Sequence, residues 1–121
     1  MLKAVVFLRR RADLTQEQFR SHYENNHVPL VRRWLPTIGR YVRNYLELTS
    51  VSAGRQDDST GAAPTPYFDV ITEIWFDDQK AYDDFVLALQ DPEVSRALQE
   101  DEERFLDRSI VQTYPVIECV S

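Results

Sequence analysis

Tyr67-Phe68-Asp69-Val70-Ile71-Thr72-Glu73-Ile74-Trp75-Phe76 is the stretch whose reading decides the fold. Side chains alternate between faces along a strand. Phe68, Val70, Thr72, Ile74 and Phe76 share one side, and Tyr67, Asp69, Ile71, Glu73 and Trp75 the other. Large apolar groups on both sides leave no solvent face, which is the pattern of a strand at the centre of a covered sheet. Residues 2–8, Leu-Lys-Ala-Val-Val-Phe-Leu, read the same way, interrupted only by Lys3. Residues 41–48 differ. Arg43, Asn44 and Glu47 interleave with Tyr41, Val42, Tyr45, Leu46 and Leu48, as suits an edge strand. A fourth strand is expected within 109–120, from Ile110, Val111, Tyr114, Val116 and Ile117.

Helical signals separate these strands. Thr15-Gln16-Glu17-Gln18 is a capping box, so a helix starts there and runs to about Asn25. Pro29 either kinks that helix near His27 or sits in the first turn of a second one. Leu30, Trp34 and Leu35 continue the apolar stripe, and Pro36 and Gly39 stop it. Asp77 or Asp78 caps the next helix, whose inward stripe is Ala81, Phe85 and Leu89, with Tyr82 and Val86 beside it. Asp91-Pro92 opens another, with Val94, Leu98, Phe105 and Leu106 inward. The acidic run Glu100-Asp101-Glu102-Glu103 is expected to face solvent. Strand, helix, strand, strand, helix, strand is the split βαβ order of a ferredoxin-like α+β domain. It predicts a four-stranded antiparallel sheet with the first and third strands central. Helices cover one face of such a sheet. The apolar second face needs another cover, and a second copy of the sheet predicts a homodimer packed sheet to sheet.

The chain has 121 residues, which fits a single domain spanning 1–121. A formal net charge of −6 argues against a nucleic-acid binder that works by neutralising phosphates. The only cysteine, Cys119, permits no internal disulfide and reads as a small hydrophobe. Residues 2–8 are too short for a signal peptide and precede, rather than follow, Arg9-Arg10-Arg11. No apolar run is long enough to cross a bilayer. A cytoplasmic protein is expected. Residues 49–66 are rich in Ser, Gly, Asp, Ala and Pro and are expected to form a long mobile loop, either a lid or a plain insertion.

The chemistry centres on Phe19-Arg20-Ser21-His22-Tyr23-Glu24-Asn25-Asn26-His27-Val28-Pro29-Leu30. At about 100° per residue, Phe19, Tyr23 and His27 stack on one helix face, which carries His27 inward. An imidazole at the inner end of an apolar stripe suits a pocket acid/base, and equally a core histidine satisfied by backbone. His22 lies about 140° round the same helix and is not expected to join His27 on one metal. A pocket lined by Tyr23, Tyr41, Tyr45, Trp75 and Phe85 suits a small hydrophobic or aromatic substrate; the same residues would also build any small core. Asp69 is the candidate to orient His27, with Glu73 beside it, and both serve as well in plain ion pairs with Arg40, Arg43 or Arg108. Tyr41 or Tyr23 is placed to stabilise an enolate. No glycine-rich phosphate loop and no paired cysteines are present, so no cofactor is expected, and with only two histidines to offer imidazole no zinc site is expected.

Two motifs carry a resemblance that spans nearly the whole chain and is weakest in 49–66. One is Phe19-x-x-His22-Tyr23-x-x-x-His27-x-Pro29-Leu30. The other is Tyr67-Phe68-Asp69-x-Ile71-x-Glu73-x-Trp75-Phe76 with Asp77-Asp78 and the helix after them. They resemble the EthD family, a branch of the dimeric α/β-barrel proteins. The resemblance implies the ferredoxin-like dimer already reached from the strand pattern. It is to cyclases, dehydratases, lactone isomerases and cofactor-free monooxygenases acting on polyketides and small aromatics. Others in the family are only linked to degradation of an ether. It places His27 at the acid/base position of a cavity between sheet and helices; Asp69 and Tyr41, read from the residues above, complete the candidate catalytic set. Lactone-isomerising relatives also use pocket cysteines, which this chain lacks apart from Cys119. Some barrel relatives bind haem, and His27 would be the ligand here. A non-catalytic ligand-binding or stress-type dimer is the other class that the same residues fit.

Overall fold

The computed structural model describes residues 2–47 and 67–121; the loop expected at 49–66 lies outside them. The elements are β1 (Leu2–Leu8), α1 (Gln16–His22), α2 (Val28–Trp34), β2 (Tyr41–Tyr45), β3 (Val70–Phe76), α3 (Gln79–Leu89), α4 (Pro92–Glu102) and β4 (Gln112–Val116). The sheet is antiparallel in the order β2-β3-β1-β4. The two strands with no solvent face, β1 and β3, are therefore central, and the more polar β2 is an edge. This is the expected α+β ferredoxin-like architecture.

The caps form as their residue types dictate. Thr15 accepts from Gln18 N–H while the Gln18 side chain accepts from Thr15 N–H, at 3.1 and 2.9 Å. Asp78, not Asp77, caps α3 by accepting from Ala81 N–H, and Asp91 caps α4 with Pro92 in its first turn. Where the elements are shorter than expected, the cause is local. Arg108–Ile110 forms a 3₁₀ turn started by Asp107, so β4 begins only at Gln112. Beyond β4 the tail is exposed, Cys119 included, so it is not the buried small hydrophobe that was expected.

The core lies between the sheet and the helices. Ala4, Leu8, Val70, Thr72, Ile74 and Phe76 are buried on the helix side, under Phe19, Tyr23, Val31, Leu35, Val94, Leu98, Phe105 and Leu106. Strand alternation sends Lys3, Val5 and Phe7 of β1 and Ile71, Glu73 and Trp75 of β3 to the opposite face, which no helix among the described residues covers. Among the described residues, no helix is long and apolar enough to cross a membrane.

Candidate functional site

Between α1 and α2 the chain widens for one turn. Tyr23–His27 is π-helical, with Val28 N–H donating to Tyr23 C=O five residues back. Pro29, two residues further, has no N–H with which to close a regular α-turn. In a regular α-helix His22 and His27 would diverge by about 140°. A turn closed at five residues narrows that divergence, and both imidazoles reach the same partner.

What they share comes from α4. Val94 and Leu98 are buried on its inner stripe, and Asp101 follows on that stripe, 5% exposed, one turn before buried Phe105. The acidic run is thus not a uniform solvated surface. Glu100 and Glu103 are exposed, Asp101 is buried and Glu102 is half-buried. Asp101 Oδ1 lies 2.9 Å from His22 Nε2, and Oδ2 lies 2.9 Å from His27 Nδ1. Phe105 packs against both imidazoles, stacked on His22 at 4.8 Å between ring centres and tilted to His27 at 4.9 Å.

The hydrogen bond assigns the His27 tautomer: Nδ1–H donates to the carboxylate, leaving Nε2 as the basic nitrogen. Nε2 has no partner among the described residues, and His27 lines a cavity of about 320 Å³ between sheet and helices. Burial lowers the pKa of His27 below its ordinary 6.5; the Asp101 hydrogen bond and charge oppose this, and His22 adds to the lowering. His27 is therefore held neutral, the form a base requires.

The cavity wall is mostly aliphatic, from Ala4, Val6, Leu8, Val31, Leu35, Ile38, Ile74, Leu89, Leu98, Leu106 and Val111, with Phe85. Its polar groups besides His27 are Tyr23, Tyr41, Thr72, Thr113 and Glu102, and no Lys or Arg among the described residues lines it. Tyr41 Oη donates to Tyr23 Oη at 3.2 Å, and Tyr23 Oη lies 2.8 Å from Thr72 Oγ1. Burial raises the pKa of both phenols, so the hydroxyls stay protonated. Three O–H donors joined by two hydrogen bonds leave one donor over for a ligand oxygen. Burial also raises the pKa of Glu102, with Asp101 adding to it and Arg108 opposing.

The structure thus brings His27, Tyr23, Tyr41 and Phe85 to one cavity. The other candidate residues stand elsewhere. Asp69 accepts the Arg10 N–H at 2.9 Å and pairs with the Arg10 side chain at 3.3 Å, so the carboxylate on His27 is Asp101 instead. Glu73 and Trp75 lie on the uncovered sheet face, where Glu73 meets Lys3 at 3.0 Å and Asn44 at 3.0 Å, and Lys3 sits over the Trp75 ring. Tyr45 donates to Glu24 at 2.5 Å, and Arg43 grips the same carboxylate. Tyr45 borders a separate, smaller pocket with Asp69 rather than the cavity. Asp101, Glu102, Thr72 and the convergence of His22 were missed. Among the described residues, no group of three or more His, Cys, Asp or Glu is disposed to hold a metal ion.

Solved structures share this architecture. An ethyl tert-butyl ether D (EthD) family protein from Bacillus halodurans C-125 aligns over 98% of this chain and 100% of its own, with TM-score 0.61 and 18% identity. HapK from Hahella chejuensis aligns over 100% and 95%, with TM-score 0.62 and 14% identity. A protein of unknown function from Bacteroides fragilis NCTC 9343, described as dimeric with a ferredoxin-like fold, aligns over 95% and 93%, with TM-score 0.54 and 10% identity. At these identities the likeness is one of fold. No curated protein matches the sequence. The EthD domain family itself matches residues 11–109, the span that holds both histidines, Asp101 and most of the cavity wall, and the chain belongs to that family.

Proposed function

We propose that the protein is a cofactor-independent enzyme in which His27 takes a proton from carbon next to a carbonyl, leading to ring closure, dehydration or isomerisation of a small aromatic or polyketide-like substrate. The observation that carries this reading is the polarity of the His27 ring. One nitrogen is anchored to a buried carboxylate and the other is unpartnered in an apolar cavity. That is the arrangement of a carboxylate-oriented general base. The leftover O–H of the Tyr41–Tyr23–Thr72 chain would donate to the enolate oxygen as charge develops there. In a ring closure the enolate carbon bonds to a second carbonyl of the same molecule, and the new alkoxide takes the proton back from His27, so no net proton is consumed. Dehydration would repeat the abstraction, with the hydroxyl leaving as water on the proton His27 carries.

The wall also limits the substrate. Among the described residues its one carboxylic acid is Glu102 and no Lys or Arg lines it, so a carboxylate or phosphate would meet no cation there. An uncharged carbonyl compound is favoured, and lactones that carry a carboxylate are not. The reading includes a homodimer formed through the uncovered sheet face.

Exchange of the hydrogens next to the carbonyl of 1-tetralone in D₂O, followed by NMR, tests the chemistry without knowledge of the natural substrate. The wild-type protein should accelerate exchange over buffer, and His27→Gln should lose the acceleration by a factor of about 100 to 10,000. Tight binding of the ketone with no exchange, equal in both proteins, would mark a ligand-binding protein and sink the enzyme.

A further inference from the structure

Asp101 is a single buried carboxylate holding two imidazoles, one on each oxygen, at 2.9 Å in both cases. Only the His27 side of this arrangement is used by the mechanism above. His22 is the more exposed of the two, with 19% of its side chain accessible against 7% for His27. Its far nitrogen, Nδ1, lies 3.3 Å from Asn26 Nδ2, on the outer side of α1. So His22 touches solvent with one edge and the catalytic candidate's carboxylate with the other.

We propose that His22 is a positioning residue that tunes His27 by holding half of the Asp101 carboxylate. The physical basis is the division of one negative charge. An imidazole N–H on Oδ1 draws electron density away from Oδ2 and so weakens the pull of Asp101 on a proton at His27. Positive charge at His22 also opposes protonation of His27. In both cases His27 is left a neutral base. The other charged groups at the carboxylate act less directly. Arg104 Nη1 stands 3.7 Å from Oδ1 and is largely solvated, and Glu102 is its neighbour in sequence. From the sheet, the uncharged hydroxyls of Tyr41, Thr72 and Thr113 face the cavity beside His27, and Tyr23 adds another from the helical side. Without His22, Oδ1 would keep only that distant arginine, and the carboxylate would favour protonated His27.

This inference rests on the reading of His27 as the base, but its test needs no substrate. The protein has two histidines, so replacing His22 leaves one imidazole signal, and it belongs to His27. NMR titration of that signal should place the His27 midpoint lowest in wild type, higher in His22→Gln, which keeps a neutral donor toward Asp101, and highest in His22→Phe. The last keeps an aromatic ring to stack on Phe105. The rise from wild type to His22→Phe should be about one pH unit, the low end of what a neighbouring opposite charge does. A midpoint that stays or falls in both variants overturns the proposal and leaves His22 as a clamp between α1 and α4. If His22→Phe fails to fold, judged by loss of signal dispersion, His22→Gln decides alone. Loss of ketone exchange in His27→Gln is a separate readout, so either claim can fail without the other. Where exchange is measurable, its low-pH limb should move upward with the His27 midpoint.

Discussion

His27 is buried against aromatic rings with its pKa depressed, first by burial and against the pull of Asp101. The sign of the consequence is fixed. Unfolded, the imidazole takes a proton near its ordinary 6.5; folded, it resists until lower pH. Between those limits the unfolded chain binds more protons, so stability falls as pH falls below about 6.5. Glu102 acts oppositely: with a raised pKa it costs stability as pH rises from its ordinary 4.5. Urea denaturation across pH 5 to 7 should show stability of the wild type dropping toward pH 5, with the drop reduced in His27→Gln. Catalysis should share the first sign, with exchange lost on acidification at a midpoint below 6.5. Asp101→Asn probes the other half of the pair. An amide both donates and accepts, so it no longer orders two imidazole N–H groups, and the His27 tautomer is released. Turnover should fall by about 100 to 10,000-fold. Stability should fall by about 1–3 kcal/mol, as buried donors lose their acceptor.

At the scale of elements, the π-turn decides whether the two histidines meet. Pro29 removes the donor that would close a regular turn, so the sequence cost of the widened helix is already met by that residue. Pro29→Ala restores an N–H. We expect a straighter α1–α2 helix, with His22 rotated off Asp101, lower exchange activity, and stability that is unchanged or higher. Paired kinetic and thermal measurements check this, and loss of stability together with full activity would refute it. The same turn explains what was and was not legible beforehand. β1 and β3 announced themselves as central because neither has a polar face, and Thr15, the pair Asp77-Asp78 and Asp91 announced three helix starts, with the choice of Asp78 over Asp77 left to the structure. His27 was legible from its spacing with Phe19 and Tyr23. His22 was not, because regular helical geometry turns it away, although Pro29 was a sign that the geometry would not stay regular. Asp101 was hidden in an acidic run that reads as surface. Its signal was its phase: three residues after Leu98 and four before Phe105, it stands where the stripe requires an apolar residue. Asp69 looked suitable on its strand, but Arg10 on the neighbouring segment already holds it.

At the scale of the molecule, one face of the sheet has no cover from a helix among the described residues. Phe7 packs with Phe68 at 5.3 Å and with Tyr114 at 6.1 Å between ring centres, but only sideways within that face. Trp75 joins them there, its indole N–H buried with no hydrogen-bond partner among the described residues. Tyr114 and Val116 of β4 remain exposed, 50% and 36%. A contiguous apolar sheet face in water carries a cost that grows with area, at about 25 cal/mol per Å². A second copy laid face to face removes that cost for both chains and needs about 800 Å² per partner for a stable interface. Lys3 does not prevent this, since Glu73 and Glu118 already neutralise it at 3.0 and 2.8 Å. The protein should therefore sediment as twice the mass of one chain at micromolar concentration. Phe7→Asp puts an unpaired carboxylate at the centre of the face and should yield a folded monomer. The cavity lies on the opposite side of the sheet, so the monomer should keep His27 and Asp101 in place and retain ketone exchange to within a few-fold. Sedimentation of the wild type as a single chain would remove the dimer from the account while leaving the His27 site untouched.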